Sequence, residues 1–171
     1  MKQISTKKIV LTAFFTAIVA VSTMFIRIPL LHGYVNLGDM FIFLAVFILG
    51  PISGMIAGGV GGCIADLFGY VQYAPITLVV KAIMALVVWF VYLIIKKLIR
   101  IEVFAEIISG VLGSVVMAFG YFVYEWAFYG SVGVAVIGLP WNLLQGAVGV
   151  ALSVSIMRVL KAVNVLDKIR D

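Results

Sequence analysis

Residues 75–95 read PITLVVKAIMALVVWFVYLII, an apolar run interrupted by one charge, Lys81. About 18 consecutive apolar residues are enough to cross the bilayer hydrocarbon as a helix, so this stretch reads as a membrane span. Similar runs lie on both sides of it. Toward the N-terminus they are Ile9–Ile26, Leu37–Leu49 and Pro51–Phe68; toward the C-terminus, Val103–Phe128 and Val134–Leu160. The whole chain is 65% hydrophobic and 11% charged, with a mean hydropathy of +1.27. With the bilayer as solvent, backbone polar groups must be satisfied within helices. The expectation is an all-α integral membrane protein, one six-helix transmembrane domain over residues 1–171.

The span count needs a second criterion. Leu37–Leu49 is short for a span and alone could be a buried or re-entrant piece. Gly50-Pro51 could also be a kink that joins it to the next run, giving five spans. Charge separates the readings. With six spans and both termini in the cytoplasm, Lys2, Lys7, Lys8, Lys96, Lys97, Arg100, Arg158, Lys161, Lys168 and Arg170 all fall inside. These are ten of the twelve Lys and Arg residues, leaving Arg27 and Lys81 toward the outside, as the positive-inside rule requires. Five spans would put the Lys96–Arg100 cluster or a terminus on the wrong side.

The net charge of +5 therefore does not point to nucleic acid. The basic residues flank helix ends, where they orient the chain and meet anionic lipid. No A-x-A-like site follows the first apolar run, so that helix is expected to be retained. The single cysteine, Cys63, excludes an internal disulfide framework and any multi-cysteine metal site; it reads as a packing residue. Gly58-Gly59-Val60-Gly61-Gly62 lacks the Lys-Ser/Thr of a phosphate-binding loop. Gly54, Gly58 and Gly62 share a helix face and read as sites of close helix approach. His32, the sole histidine, stands in the first outer loop with no nucleophile at a recognised spacing. The chain reads as neither an ATPase nor a hydrolase, and no cofactor is expected.

Function then rests on polar residues kept within spans, each costly to hold there. Asp39, Asp66, Lys81 and Glu125 come from four helices and fall at similar depth in the outer half. Asn142 and Gln145 share a face of the sixth helix. Two structural explanations compete with ligand binding. Asp66 and Lys81 could pair internally, and the two amides could bond between helices. Convergence at one depth favours a polar cavity open to the outside. Tyr34, Tyr70, Tyr73, Tyr121, Tyr124, Trp126, Phe128, Tyr129 and Trp141 surround that level, most as an interfacial belt. Tyr121 lies one turn from Glu125, and Trp141 adjoins Asn142. Flat rings with amides and carboxylates suit a small planar heterocycle. On the first helix, Ala13 and Ala17 form a small-xxx-small pair, which by itself reads as packing within the bundle.

Several features in order resemble the substrate-binding S components of energy-coupling factor (ECF) vitamin transporters. They are Ala13-x-x-x-Ala17, the segment Gly33-Tyr34-Val35-Asn36-Leu37-Gly38-Asp39, then Leu49-Gly50-Pro51 with Gly54, and a glycine-rich third helix ending just after Asp66. The likeness spans essentially the full length. It is greatest to the riboflavin-type sequence family, which includes members handling vitamin B6 and hydroxymethylpyrimidine. The resemblance implies a prokaryotic cell-membrane complex in which a transmembrane coupling protein and two ATP-binding subunits drive a small S component. That component topples to carry its vitamin inward. It further implies a docking role for Ala13 and Ala17, and substrate contacts from the first outer loop and the outer ends of the later helices. Tyr34, Asn36, Asp39, Asp66, Lys81, Tyr121, Glu125, Trp141, Asn142 and Gln145 are the candidates here. The density of charge favours hydroxymethylpyrimidine or vitamin B6, with riboflavin next. A stand-alone ion-coupled transporter using Asp66 or Glu125 as proton carrier is the alternative, weakened by the missing inverted repeat. A membrane enzyme is disfavoured by the missing nucleophile and metal sets.

Overall fold

A computed structural model describes residues 5–29 and 34–166. Lys2, His32, Gly33, Lys168 and Arg170 lie outside the described residues. Six α-helices follow the six apolar runs: α1 (Thr6–Phe25), α2 (Gly38–Leu49), α3 (Pro51–Leu67), α4 (Ala74–Ile99), α5 (Glu102–Tyr129) and α6 (Val132–Ala162). A 3-10 turn, Val71–Tyr73, leads into α4. Helices α1, α4, α5 and α6 are long and apolar enough to cross a membrane.

The segment between α1 and α2 departs from the all-α expectation. Strands β1 (Arg27–Pro29) and β2 (Tyr34–Asn36) pair antiparallel, with Ile28 opposite Val35. Strand pairing satisfies backbone groups of a connection that cannot continue the helix past Pro29, and β-branched Ile28 and Val35 suit it.

Gly50-Pro51 is a reversal, not a kink within one span. Gly50 has φ +93°, a conformation nearly closed to residues with a Cβ, and Pro51 opens α3, where its missing N–H is no loss. Helix α3 therefore folds back along α2, Gly54 against Val46 and Gly58 against Ile42. The glycine face does what close approach in lipid requires. It extends to other neighbours: a Cβ on Gly59 would stand 2.7 Å from the Leu78 carbonyl of α4, and one on Gly61 2.7 Å from the Thr16 carbonyl of α1.

Helix α2 occupies the middle. It packs against α1, α3, α4 and α6, and its residues are buried from Gly38 to Ile48 apart from half-buried Phe41. Helices α1 and α3 to α6 surround it, α3 lying between α1 and α4, and α5 between α4 and α6. Their outer faces expose apolar side chains such as Phe14, Ile56, Phe90, Val115 and Leu144. An apolar exterior around a packed interior is the surface of a membrane protein.

Candidate functional site

All six helices contribute to one cavity at one end of the bundle. Val19 and Thr23 come from the end of α1, and Asp39 and Ile42 from the start of α2. Gly62 and Asp66 come from the end of α3, and Tyr73, Thr77 and Lys81 from the turn and first part of α4. The end of α5 adds Tyr121 and Glu125, the start of α6 adds Gly138, Asn142 and Gln145, and strand β2 adds Tyr34 and Asn36. The cavity opens to solvent, and about 600 Å³ of empty space, open solvent included, lies among these residues.

Its polar side chains form three groups. At the base, Lys81 forms an ion pair with Asp39, which is fully buried in the first turn of α2. The N-terminal end of a helix favours a carboxylate. Gln145 Nε2 donates to the other Asp39 oxygen at 2.7 Å. Gln145 Oε1 accepts from the Asn36 backbone N–H at 2.9 Å and its Nδ2 at 3.2 Å. Asn36 Oδ1 in turn accepts from Gly38 N–H at 2.7 Å and Thr23 Oγ1 at 3.2 Å. These links join α1, β2, α2, α4 and α6. Lys81 Nζ also meets Met117 Sδ at 2.8 Å and lies 5.6 Å from the Tyr121 ring centre.

Beside this network the Tyr34 hydroxyl donates to Asp66. Burial first, and then the neighbouring carboxylate, raise the Tyr34 phenol above its ordinary pKa, so it stays protonated as the donor. Arg27 lies over the Tyr34 and Tyr70 rings at 5.8 and 5.5 Å, a cation–π arrangement that holds the strand pair. Thr77 Oγ1 and Tyr121 OH stand 3.0 Å apart.

The third group is incomplete. The Tyr73 hydroxyl donates to Glu125 Oε1 at 3.2 Å and lies 3.4 Å from the Tyr129 hydroxyl. Glu125 is 3% exposed, yet its Oε2 has no hydrogen-bond partner among the described residues. Gly138 faces that oxygen, and a Cβ there would stand 2.6 Å from it. The side chain of Asn142, half-buried on the cavity wall, makes no hydrogen bond among the described residues. Because buried polar groups are nearly always paired, an orphaned carboxylate oxygen and an unused amide on one cavity are the groups available to something else.

Nine of the ten residues singled out as substrate contacts in the sequence thus line one cavity. Trp141 does not. It is 43% exposed and lies one residue, about 100° of helix, from the Asn142 face, which turns its ring outward. The alternative in which Asp66 and Lys81 pair with each other is not what forms, since Lys81 takes Asp39 and Asp66 takes Tyr34. Thr23, Tyr73, Thr77 and Gly138 line the cavity without having been named as contacts. Helical spacing carried the signal for three of them: Tyr73, Thr77 and Lys81 recur at i, i+4 and i+8, and Gly138 precedes Asn142 by four. Ala13 and Ala17 are exposed on α1, so they are not packed inside the bundle. At the opposite end from the cavity, fully buried Glu106 pairs with Arg158 and Lys161, and Glu102 with Lys96 and Lys161.

Comparison with known proteins accords with this architecture. A solved S component of a bacterial ECF transporter superposes with a TM-score of 0.69, covering 91% of this chain and 96% of its own at 21% identity, which shows the fold. An uncharacterised protein from the gap 3′ region of Pyrococcus woesei is 36% identical over 147 residues, 84% of this chain and 94% of its own length. The family profile described as ECF-type riboflavin transporter, S component, matches residues 3–162. The chain belongs to the ECF-type riboflavin transporter S component family.

Proposed function

We propose that this protein is the substrate-capture subunit of an ECF-type importer. A single unit of six spans, with both termini cytoplasmic, takes a small water-soluble aromatic vitamin or precursor from the outer side. Hydroxymethylpyrimidine or vitamin B6 is the favoured substrate. A coupling protein and two ATP-binding subunits then drive delivery inward, with the S component toppling in the membrane. The observation that carries the reading is the composition of the cavity: aromatic rings, an unused amide and an orphaned carboxylate oxygen beside a polar network already satisfied. Small-molecule sites have this form, apolar and aromatic walls with a few convergent polar groups.

Within this reading, Glu125 and Asn142 contact the ligand directly, and Tyr121 and Tyr73 supply ring surface. Asp39, Lys81, Asn36 and Gln145 hold the helices in position, and Tyr34 with Asp66 forms the wall beneath the strand pair. Ala13 and Ala17 offer the coupling protein a face of small side chains, supported by their exposure on α1. Riboflavin is the second reading, favoured by the description of the matching family.

The test is purification from native membranes. A capture subunit co-purifies with a larger membrane protein and two ATPases, and mass spectrometry of the extract identifies the bound small molecule. Isolation alone, together with uptake by the single chain in vesicles under a proton gradient, identifies a self-sufficient ion-coupled transporter instead.

A further inference from the structure

Among the described residues, four ionisable groups other than tyrosine line the cavity: Asp39, Asp66, Glu125 and Lys81. Three carboxylates therefore face one ammonium, and that ammonium is committed to Asp39. Asp66 has a neutral donor, the Tyr34 hydroxyl. Glu125 has the Tyr73 hydroxyl on one oxygen and no described partner on the other. No neighbouring element among the described residues supplies a cation to it. Helix α6 carries no charged residue from Val132 to Gln145. The Val71–Tyr73 turn and the start of α4 bring Tyr73 and, deeper, Lys81. Helix α3 brings only another acid, Asp66, and Arg27 is spent over the rings of Tyr34 and Tyr70, outside the cavity lining.

An uncompensated buried carboxylate is expensive, and α6 makes room for this one beside the cavity with glycine at 138, where a Cβ would stand 2.6 Å from Oε2. We propose that the cavity binds its ligand as a cation, a protonated heteroaromatic amine whose N–H donates to Glu125 Oε2. The ligand brings the missing counter-charge, and an N–H donor on a cation gives a charge-assisted bond to the carboxylate. The faces of Tyr73 and Tyr121 add a cation–π environment. The Asn142 amide is left to read a ring substituent, such as a hydroxyl, that can both donate and accept. A neutral ring would leave Glu125 uncompensated. The inference rests on the capture reading and narrows its substrate class.

The experiment is calorimetric titration of the detergent-solubilised protein with three probes. They are 4-amino-5-hydroxymethyl-2-methylpyrimidine, its 4-oxo counterpart, which is the same size and not basic, and riboflavin. On the wild-type protein the amino probe is expected to bind about ten- to a hundredfold tighter than the oxo probe, the range of one hydrogen bond to a charged group. In Glu125→Gln, which keeps shape and removes charge, that ratio is expected to fall to near one. The wild-type comparison stands even where the variant folds poorly. A ratio near one on wild type, or one that survives Glu125→Gln, overturns the cation assignment. So does riboflavin binding most tightly, while leaving the capture reading intact. Affinity for the amino probe that changes when sodium is replaced by potassium assigns Glu125 to an inorganic ion and also overturns it. Failure of every probe to bind overturns the assignment, while the capture reading stands or falls with the co-purification.

Discussion

At the scale of single residues, the buried Lys81–Asp39 pair bears the heaviest electrostatic load near the cavity. Removing one partner of a buried pair leaves an uncompensated charge and costs about 3–5 kcal/mol, whereas replacing both with apolar or neutral groups of similar size is often nearly neutral. Lys81→Met is therefore expected to lower the melting temperature in detergent sharply. Lys81→Met combined with Asp39→Asn is expected to recover most of the loss, because the amide oxygen introduced at position 39 can still accept from Gln145. A double variant no more stable than Lys81→Met would show that the lysine stabilises through packing against Met117 and Tyr121. The depth of these charges was legible in the sequence, because a charge in an apolar run has a position fixed by helical rise. The choice of partner was not. Lys81 meets Asp39 because α2 folds back inside the ring of helices, and no local spacing relates residues 39 and 81. The same holds for Asn36 and Gln145, joined across the molecule.

At the scale of elements, the six helices were readable from apolar runs, and Gly50-Pro51 as a point of interruption. The strand pair was hidden because three-residue strands leave almost no periodicity. The central position of α2 hid for the opposite reason: burial on all sides gives a uniformly apolar sequence, which resembles a lipid-facing one. Helix α1 is the element that now separates function from stability. Ala13 and Ala17 are exposed on it, whereas Phe15, Val19 and Ala20 face inward. Replacing Ala13 or Ala17 with Trp should abolish uptake in whole cells while leaving calorimetric affinity of the isolated protein within about twofold, since only the approach of another helix is blocked. Equal loss of affinity and uptake would place these alanines in the binding fold itself.

At the scale of the molecule, the cavity and the Glu106 cluster occupy opposite ends, and the basic residues gather at the second. With the cavity outward, a cysteine at Gly130 or Gln72 should react with an impermeant maleimide on intact cells, and one at Lys97 should react only after permeabilisation. Labelling of position 97 from outside would invert or break the six-span arrangement. The ring of helices has a further consequence, because its members differ in length. Helix α3 has 17 residues and α1 has 20, about 26 and 30 Å at 1.5 Å per residue. Helices α4, α5 and α6 have 26, 28 and 31, about 39, 42 and 46 Å. Hydrocarbon about 30 Å thick matches the first pair and falls short of the other three. The protein is thus a wedge in the direction of the membrane normal. The charged end turns of α4 to α6, with Lys96, Lys97, Glu102, Arg158 and Lys161, extend the longer flank into the interfacial region. Any apolar excess there favours a lean or a locally thicker bilayer, and the shorter flank of α1 and α3 favours neither. The surrounding bilayer therefore acts on the two sides unequally, and its thickness becomes a variable that sets how the protein stands.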